Sequence, residues 1–192
     1  MLIDYSVELG RDDPALELPW SSKDPAIRYV DLKNYPELLR ELPEAAAHPE
    51  LGAFLARINA AEFPLETAKC DAGPTQEILP EEDVFNAKQK FVSYIDLVFS
   101  DEAERLSFEM QETLAKDLCK LLKHAPGIAA SIEFAIRRCY FHSNTESNAD
   151  SKSGFYITAY VSAFGHSEAE ARKQWTIALA LVQNALVQVA CR

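Results

Sequence analysis

Three tyrosines and three charged residues recur at alternating positions of three strand-like segments in the second half of the chain. The segments are 91-FVSYIDLVF-99, 131-SIEFAIRRCYF-141 and 155-FYITAYVSAF-164, and the residues are Tyr94, Asp96, Glu133, Arg137, Tyr156 and Tyr160. Successive side chains of a strand point to opposite faces of a sheet, so these six are predicted to share one face. Carboxylates, phenols and a guanidinium gathered there could perform acid–base chemistry or bind a polar ligand.

The other parity of the same segments is apolar and is predicted to lie beneath helices. It comprises Phe91, Ile95, Leu97, Phe99, Ile132, Phe134, Ile136, Phe155, Ile157 and Val161. We call the first set the mixed face; it comprises Val92, Tyr94, Asp96, Val98, Glu133, Arg137, Cys139, Tyr156, Thr158, Tyr160 and Ser162. Three interpretations stay open for the mixed face: a cover formed by the N-terminal half, a subunit interface, or the lining of a small-molecule pocket.

Acid–base catalysis on the mixed face would use Asp96 and Glu133 with Tyr94 close by. Opposite charges on one face most simply neutralise each other. We therefore expect Arg137 to pair with Glu133 or with Asp96.

Other kinds of catalytic or cofactor site have little support in the sequence. HExxH, CxxC, GxSxG, GxGxxG and P-loop motifs do not occur in it, so no metal, no cofactor and no catalytic residue is predicted. Cys70 has Lys69 on one side, which would lower the pKa of its thiol, and Asp71 on the other, which would raise it. Cysteine is among the most frequently buried residues, so Cys70 is expected to be packed.

The elements that must position the mixed face follow from residue 91 in the order β-α-β-β-α. A helix is predicted over residues 100–127 from an apolar stripe at three- and four-residue spacing, with Asp101 and Glu104 as a capping box. Ser167 and Glu170 form a second capping box before a helix that ends near residue 190. The polar loop 143–154 joins the two hairpin strands, and its composition is that of a solvated connection, with His142 at a strand end. This order is typical of ferredoxin-like α+β sandwiches.

The first half of the chain is less regular. Strands are predicted at residues 2–9, 27–32 and 63–70, with a loop over 71–88 and a proline-rich loop around Trp20. Two short helices are predicted near residues 36–47 and 50–61, each opened by a proline. The whole is predicted to be one α+β domain, in which residues 1–89 add strands and short helices to a ferredoxin-like half at 90–192.

Composition limits the partners. The 192 residues carry a formal net charge of −11, which repels nucleic-acid backbones and anionic lipid surfaces, so neither is an expected partner. The N-terminal residues lack the pattern of a signal peptide, and the four cysteines are widely separated, which indicates free thiols in the cytoplasm. After Lys173 the last helix has no charged residue until Arg192 and is apolar almost all round, which indicates burial on several sides. Either the rest of the fold or a second copy of the chain could cover it, and we favour the second copy and predict a homodimer.

These patterns make a non-enzymatic binding or protein-interaction module the leading hypothesis, with the mixed face presented to a small molecule or a protein. The alternative is a small enzyme with Asp96 and Glu133 in a pocket on that face. A weaker alternative is an acidic inhibitor or immunity-type protein for a basic partner.

Overall fold

The computed structural model describes residues 1–24, 28–142 and 151–190 and has a mixed α+β architecture. Its strands are β1 Leu2–Glu8, β2 Ala15–Leu18, β3 Leu65–Thr75, β4 Gln89–Phe99, β5 Ala130–His142 and β6 Ser151–Gly165. Its α-helices are α1 Pro43–Ala47, α2 Pro49–Ile58, α3 Glu102–Leu106, α4 Phe108–Leu122 and α5 Glu168–Ala190. Two short 3-10 helices occupy Pro36–Glu41 and Pro80–Phe85.

All six strands belong to one sheet with the order β1-β5-β6-β4-β3, and β2 pairs with β5 beyond the end of β1. The strands β1 and β2 run parallel to β5, whereas the remaining pairs are antiparallel. The registers place Tyr94 opposite Tyr160 and Arg137 opposite Tyr156. The predicted division of the three central strands into an apolar face and a mixed face is therefore present in the sheet.

The main hydrophobic core lies between the apolar face and helices α2, α4 and α5. Trp175 of α5 is fully buried, lies 4.7 Å from the ring of Phe91 and donates a hydrogen bond of 2.9 Å to the hydroxyl of Ser93. A buried indole N–H requires such a partner. Ser93 thus places one polar atom on the apolar face without leaving an unsatisfied donor.

The long C-terminal helix is wrapped by its own chain. α5 packs on β4 and β6 and is flanked by α2 and α4. After its first turn, the exposed positions of α5 are Lys173, Ile177, Ala180, Asn184 and Gln188. Since Ile177 is the one large apolar side chain in that exposed row, α5 no longer argues for a second copy, and the homodimer stays a prediction.

The N-cap residue of each predicted capping box is confirmed, whereas the Glu170 carboxylate accepts a hydrogen bond from the amide of His166, the residue before the cap. Asp101 accepts a hydrogen bond from the Glu104 amide, and the Ser167 hydroxyl accepts one from the Glu170 amide. The helix predicted over 100–127 is instead two helices, because Ser107 leaves the helical conformation and caps α4 through the amide of Met110. The first of these, α3, packs beside the mixed face and not beneath the apolar face.

The N-terminal half departs from its prediction in several places. In the predicted strand 27–32, Ile27 lies outside the described residues, and Arg28 makes only one isolated bridge to Ser21. The alternation of apolar and polar residues in this segment does not indicate a strand. It arises because Tyr29 and Leu32 pack against two different hydrophobic clusters. The strand β2 was missed because prolines flank it, which an edge strand tolerates.

Two further departures concern the extent of the predicted helix 36–47 and of the predicted strand 63–70. Pro43 divides the helix predicted at 36–47 into a 3-10 helix and α1. The strand β3 continues to Thr75, through the first residues of the predicted loop 71–88, because Pro74 lies on the outer edge of the sheet where no N–H is needed. Residues 143–150 of the predicted polar loop lie outside the described residues, and residues 151–154 begin β6.

The outer edge of β3 is closed by side chains from the N-terminal half. The Lys33 ammonium donates to the carbonyls of Ala60 and Leu65, at 2.8 and 3.0 Å, and to that of Phe63. The Trp20 indole donates a hydrogen bond of 2.8 Å to the carbonyl of Ala68. A ring nitrogen of His48 lies 3.0 Å from the carbonyl oxygen of Ala72. An open strand edge is a site for unwanted pairing, and these contacts block it.

Replacing Lys33 by Met should lower the free energy of unfolding by about 2 kcal/mol, because three carbonyls lose a charged donor. Urea titration followed by circular dichroism measures the change. Lys173→Met on the exposed side of α5 is the matched control and should change stability by less than about 0.5 kcal/mol. Equal effects in the two variants would show that the Lys33 contacts do not hold the α2–β3 connection.

Candidate ligand groove on the mixed face

Five side chains form one row across the middle of the mixed face, one from each of five strands. Strand registers place Asp71 opposite Tyr94, Tyr94 opposite Tyr160, Tyr160 opposite Glu133 and Glu133 opposite Asp4. Directly opposite residues in a sheet have Cβ atoms about 5 Å apart. We call this set, Asp71, Tyr94, Tyr160, Glu133 and Asp4, the tyrosine row.

A buried hydrogen-bond network lies next to the tyrosine row. Arg137 is bound to a carboxylate oxygen of Glu8 through two nitrogens, at 2.7 and 2.6 Å. Its remaining terminal nitrogen donates to the hydroxyl of Thr158 at 3.1 Å and to that of Tyr160 at 2.8 Å. The Thr158 hydroxyl in turn donates to Asp96 at 2.7 Å. Every member of the network is therefore fixed by at least one neighbour.

Asp96 is a buried carboxylate of this network. Its side chain lies at the sheet surface but is only 5% exposed. Burial raises the pKa of Asp96 to about 6, against the opposing effects of the Thr158 hydrogen bond and the positive charges of Lys69 and Arg137.

One end of the mixed face is covered by the N-terminal segment and α3. A second hydrophobic cluster there joins Leu16, Leu18, Ala68, Val98, Cys139, Phe141 and Tyr156, and Trp20, Tyr29 and Leu106 pack against it. Tyr156 is 4% exposed, and burial raises the pKa of its phenol to about 12. This end thus belongs to the packed interior, in agreement with the first of the three interpretations of the mixed face.

The opposite end is covered by the connection between β3 and β4. We call residues 76–88 the strap. Its Glu82 forms a buried ion pair with Lys90 at 2.6 Å, and its Phe85 stacks on Phe164 with the ring centroids 4.4 Å apart. Glu82 also accepts a hydrogen bond of 2.9 Å from the amide of Leu79. These contacts hold the strap against the sheet.

A groove of about 540 Å³ lies between the strap and the tyrosine row. Its floor is formed by a second row of small residues, in which Gly73 lies opposite Val92 and Val92 opposite Ser162. Tyr94 and Tyr160 form one wall, and Leu79, with 41% of its surface exposed, lies on the strap side. Small side chains between larger neighbours therefore create the depression.

A second groove, of about 740 Å³, follows the outer edge of β3 and shares Asp71 and Tyr94 with the first. Lys69, placed by a bulge between Thr67 and Cys70, lies 4.9 Å from the ring centroid of Trp20 in this groove. Burial, with the nearby charge of Glu44, raises the pKa of the Cys70 thiol to about 12. Cys70 therefore remains a thiol and not a nucleophilic thiolate at neutral pH.

The six residues predicted from the sequence fall into two groups. Asp96, Arg137 and Tyr156 are buried, whereas Tyr94, Tyr160 and Glu133 are half-buried. The first groove is lined by Tyr94 and Tyr160, and Glu133 lies just beyond Tyr160 in the tyrosine row.

The expected partners of Arg137 were wrong. Its carboxylate partner is Glu8 of β1, and neither Glu133 nor Asp96 forms the ion pair. The parallel pairing of β1 with β5 places Glu8 opposite Arg137, and that pairing cannot be read from the local sequence of either strand.

Sequence reasoning also missed Asp71, Gly73 and Lys90, because these residues line the groove only through the pairing of β3 with β4 and the folding back of the strap. Alternation of Asp4, Ser6 and Glu8 along β1 was the one available signal that this strand contributes polar groups to the mixed face.

Two further properties concern the described ranges only. No group of three or more His, Cys, Asp and Glu side chains in them could hold a metal ion. None of the helices in the described chain is both long enough and apolar enough to cross a membrane.

Comparisons of the sequence with protein-family models and curated proteins, and of the structure with solved structures, give no match.

Asp96→Asn should remove a pH dependence of stability. The folded pKa of Asp96, about 6, lies above its ordinary value of 3.8, so the folded protein binds more protons between these values. The wild type should therefore lose about 2 to 3 kcal/mol of stability from this group as the pH rises from 4 to 7. Urea unfolding of both proteins across this pH range measures the difference, with the exposed Asp71→Asn as control. Parallel pH profiles for wild type and Asp96→Asn would contradict the expectation.

Arg137→Met should lower the free energy of unfolding by about 3 kcal/mol, since Glu8, Thr158 and Tyr160 all lose their donor in a mostly buried site. Arg138→Met is the matched control: Arg138 is exposed and donates to the Leu9 carbonyl, so a loss under about 1 kcal/mol is expected. Chemical denaturation of the two variants provides the comparison, and similar losses would show that the buried network is dispensable.

Proposed function

We propose that the protein is a non-enzymatic binding module that takes a small ligand in the groove between the strap and the tyrosine row. The observation that carries this proposal is the trough of small residues, Gly73, Val92 and Ser162, between two walls that are fixed by buried polar contacts. A volume of about 540 Å³ lies within the range of small-molecule sites.

The walls of the groove are preorganised. Tyr160 is held by Arg137, and the strap is held by the Glu82–Lys90 pair and by Phe85 on Phe164. A site that is already ordered loses less conformational entropy when a ligand binds. This argument supports binding in the groove in preference to a role of the tyrosines in packing alone.

The chemistry of the lining suits recognition better than catalysis. Tyr94, whose phenol pKa is raised to about 12 by burial and by the charges of Asp96 and Asp71, stays a neutral hydroxyl that can donate a hydrogen bond. The enzymatic alternative is less well supported, because Asp96 is buried against Thr158 and lines neither groove. Glu133 also lies outside both linings.

The alternative of an inhibitor for a basic protein has weaker support still. Several exposed carboxylates of the protein are engaged in salt bridges within the chain, as Glu102 is with Lys152 and Glu41 with Arg28. Glu102 and Glu41 would therefore contribute little to such an interface, because a surface for a basic protein is expected to present its acidic groups unpaired.

We place the fold with the ferredoxin-like sandwiches as part of the same proposal. The order β5-β6-β4 with α4 and α5 on one face has the arrangement of that group, and β3 occupies the position next to β4 where the fourth strand would lie. A cytoplasmic location and a homodimer remain predictions from the sequence.

Gly73→Trp should abolish ligand binding without unfolding the protein. A Cβ at Gly73 meets no atom within 4 Å and its backbone has no positive φ, so the indole can occupy the groove. A thermal-shift screen of wild type against a library of small metabolites identifies binders, and each hit is repeated on the variant. Hits in this groove should lose at least about tenfold in affinity, because a filled groove excludes the ligand.

Gly127→Trp is the matched control, since a Cβ there also meets nothing within 4 Å and the residue lies in the loop between α4 and β5. Hits should bind this variant as they bind wild type. Hits that bind Gly73→Trp with unchanged affinity would move the site away from the mixed face.

A further inference from the structure

Negative charge is concentrated at the two ends of the tyrosine row. Asp71 lies at the β3 end, and Glu77 of the strap also lines the groove. Glu133 and Asp4 lie side by side at the other end. Across the sheet, the tyrosine row therefore consists of one carboxylate, then two phenols, then two carboxylates.

These carboxylates differ from Lys90 and Arg137 of the same face in having no cationic partner among the described residues. Lys90 is neutralised by Glu82, and Arg137 by Glu8. Lys69 lies in the second groove over Trp20. Within the described ranges, no salt bridge involves Asp71, Glu77, Glu133 or Asp4. The charge that remains available at the groove is thus entirely negative.

The distance between the two acidic ends defines the shape of a complementary ligand. Asp71 and Glu133 are three strand spacings apart, which amounts to roughly 14 Å at about 4.8 Å for each spacing. Carboxylates that far apart cannot coordinate one metal ion, whose oxygen ligands lie about 2.0–2.6 Å from it. Two cationic groups on one extended chain can reach both ends.

Between the ends the surface is suited to an aliphatic chain. The side chain of Val92 and the rings of Tyr94 and Tyr160 line the groove, with Ser162 beside them. Phenol rings contact methylene groups and also attract ammonium groups through their faces. An anionic ligand would be repelled by both ends of the row and by the net charge of −11.

We infer that the ligand of this groove is a linear aliphatic polyamine, which extends along the tyrosine row beyond the groove, with one ammonium group at Asp71 and another at Glu133 and Asp4. This inference rests on the proposed function and adds the chemical class of the ligand. The methylene segment lies over Val92 and the two tyrosines.

Isothermal titration of the full chain with spermine, spermidine and 1,4-diaminobutane at low ionic strength tests the inference. Spermine should bind with a stoichiometry of one and more tightly than 1,4-diaminobutane, which is too short to reach both ends. Asp71→Asn and Glu133→Gln should each weaken spermine binding about fivefold, the effect expected for loss of one partly exposed ion pair. The affinity for 1,4-diaminobutane should fall in one of these variants and not in both.

Glu109→Gln is the matched control, because it removes the same charge from an exposed position on α4 beneath the opposite face. It should change spermine binding less than about twofold, as expected for a distant surface charge. Equal losses in Glu133→Gln and Glu109→Gln would show that spermine responds only to net charge, and the inference would be overturned.

The failure of this inference can be distinguished from the failure of the proposed function by Gly73→Trp. If library hits are lost in Gly73→Trp while spermine binds wild type only through net charge, the groove is a site for another class of ligand and the polyamine assignment is wrong. If spermine and all library hits bind Gly73→Trp as they bind wild type, both are wrong.

Discussion

The contact of Arg137 with Glu8 is the interaction on which the mixed face depends. It joins the first strand of the chain to the central hairpin, across 129 positions of sequence, in a site largely removed from water. A guanidinium in such a place is tolerated only when nearly all of its donors are used, and here they reach Glu8, Thr158 and Tyr160. The orientation of Tyr160, and with it one wall of the groove, follows from satisfying that charge.

The groove exists because the two ends of the mixed face are covered in different ways. At one end Trp20, Tyr29 and α3 bury an apolar patch, and at the other the strap is held by an ion pair and a stacked aromatic pair. Neither cover reaches the row of small residues between them. The groove is therefore the part of the mixed face that neither cover reaches. It is deep because its floor is formed by the small residues Gly73, Val92 and Ser162.

Charged groups of this face serve two physical roles. Those that are paired, Arg137 with Glu8 and Lys90 with Glu82, are mostly buried and fix the strands and the strap. Asp4, Asp71 and Glu133, which form no salt bridge among the described residues, lie at the ends of the tyrosine row, in contact with water, and create a field that favours cations. The paired charged residues of the mixed face thus stabilise the fold, whereas the unpaired carboxylates at the ends of the tyrosine row are available to bind a ligand.

The sequence by itself determined the features that depend on neighbouring positions. Alternation in residues 91–99, 131–141 and 155–164 assigned the faces of the central strands, and serine and aspartate caps located the starts of helices at residues 101 and 167. Only the tertiary structure decided that Glu8 meets Arg137, that residues 76–88 fold over the sheet, and that Asp71 and Asp4 terminate one row. Local patterns are set by residues within one turn or one pleat, whereas these contacts depend on strand order and register, which are fixed by packing of the whole chain.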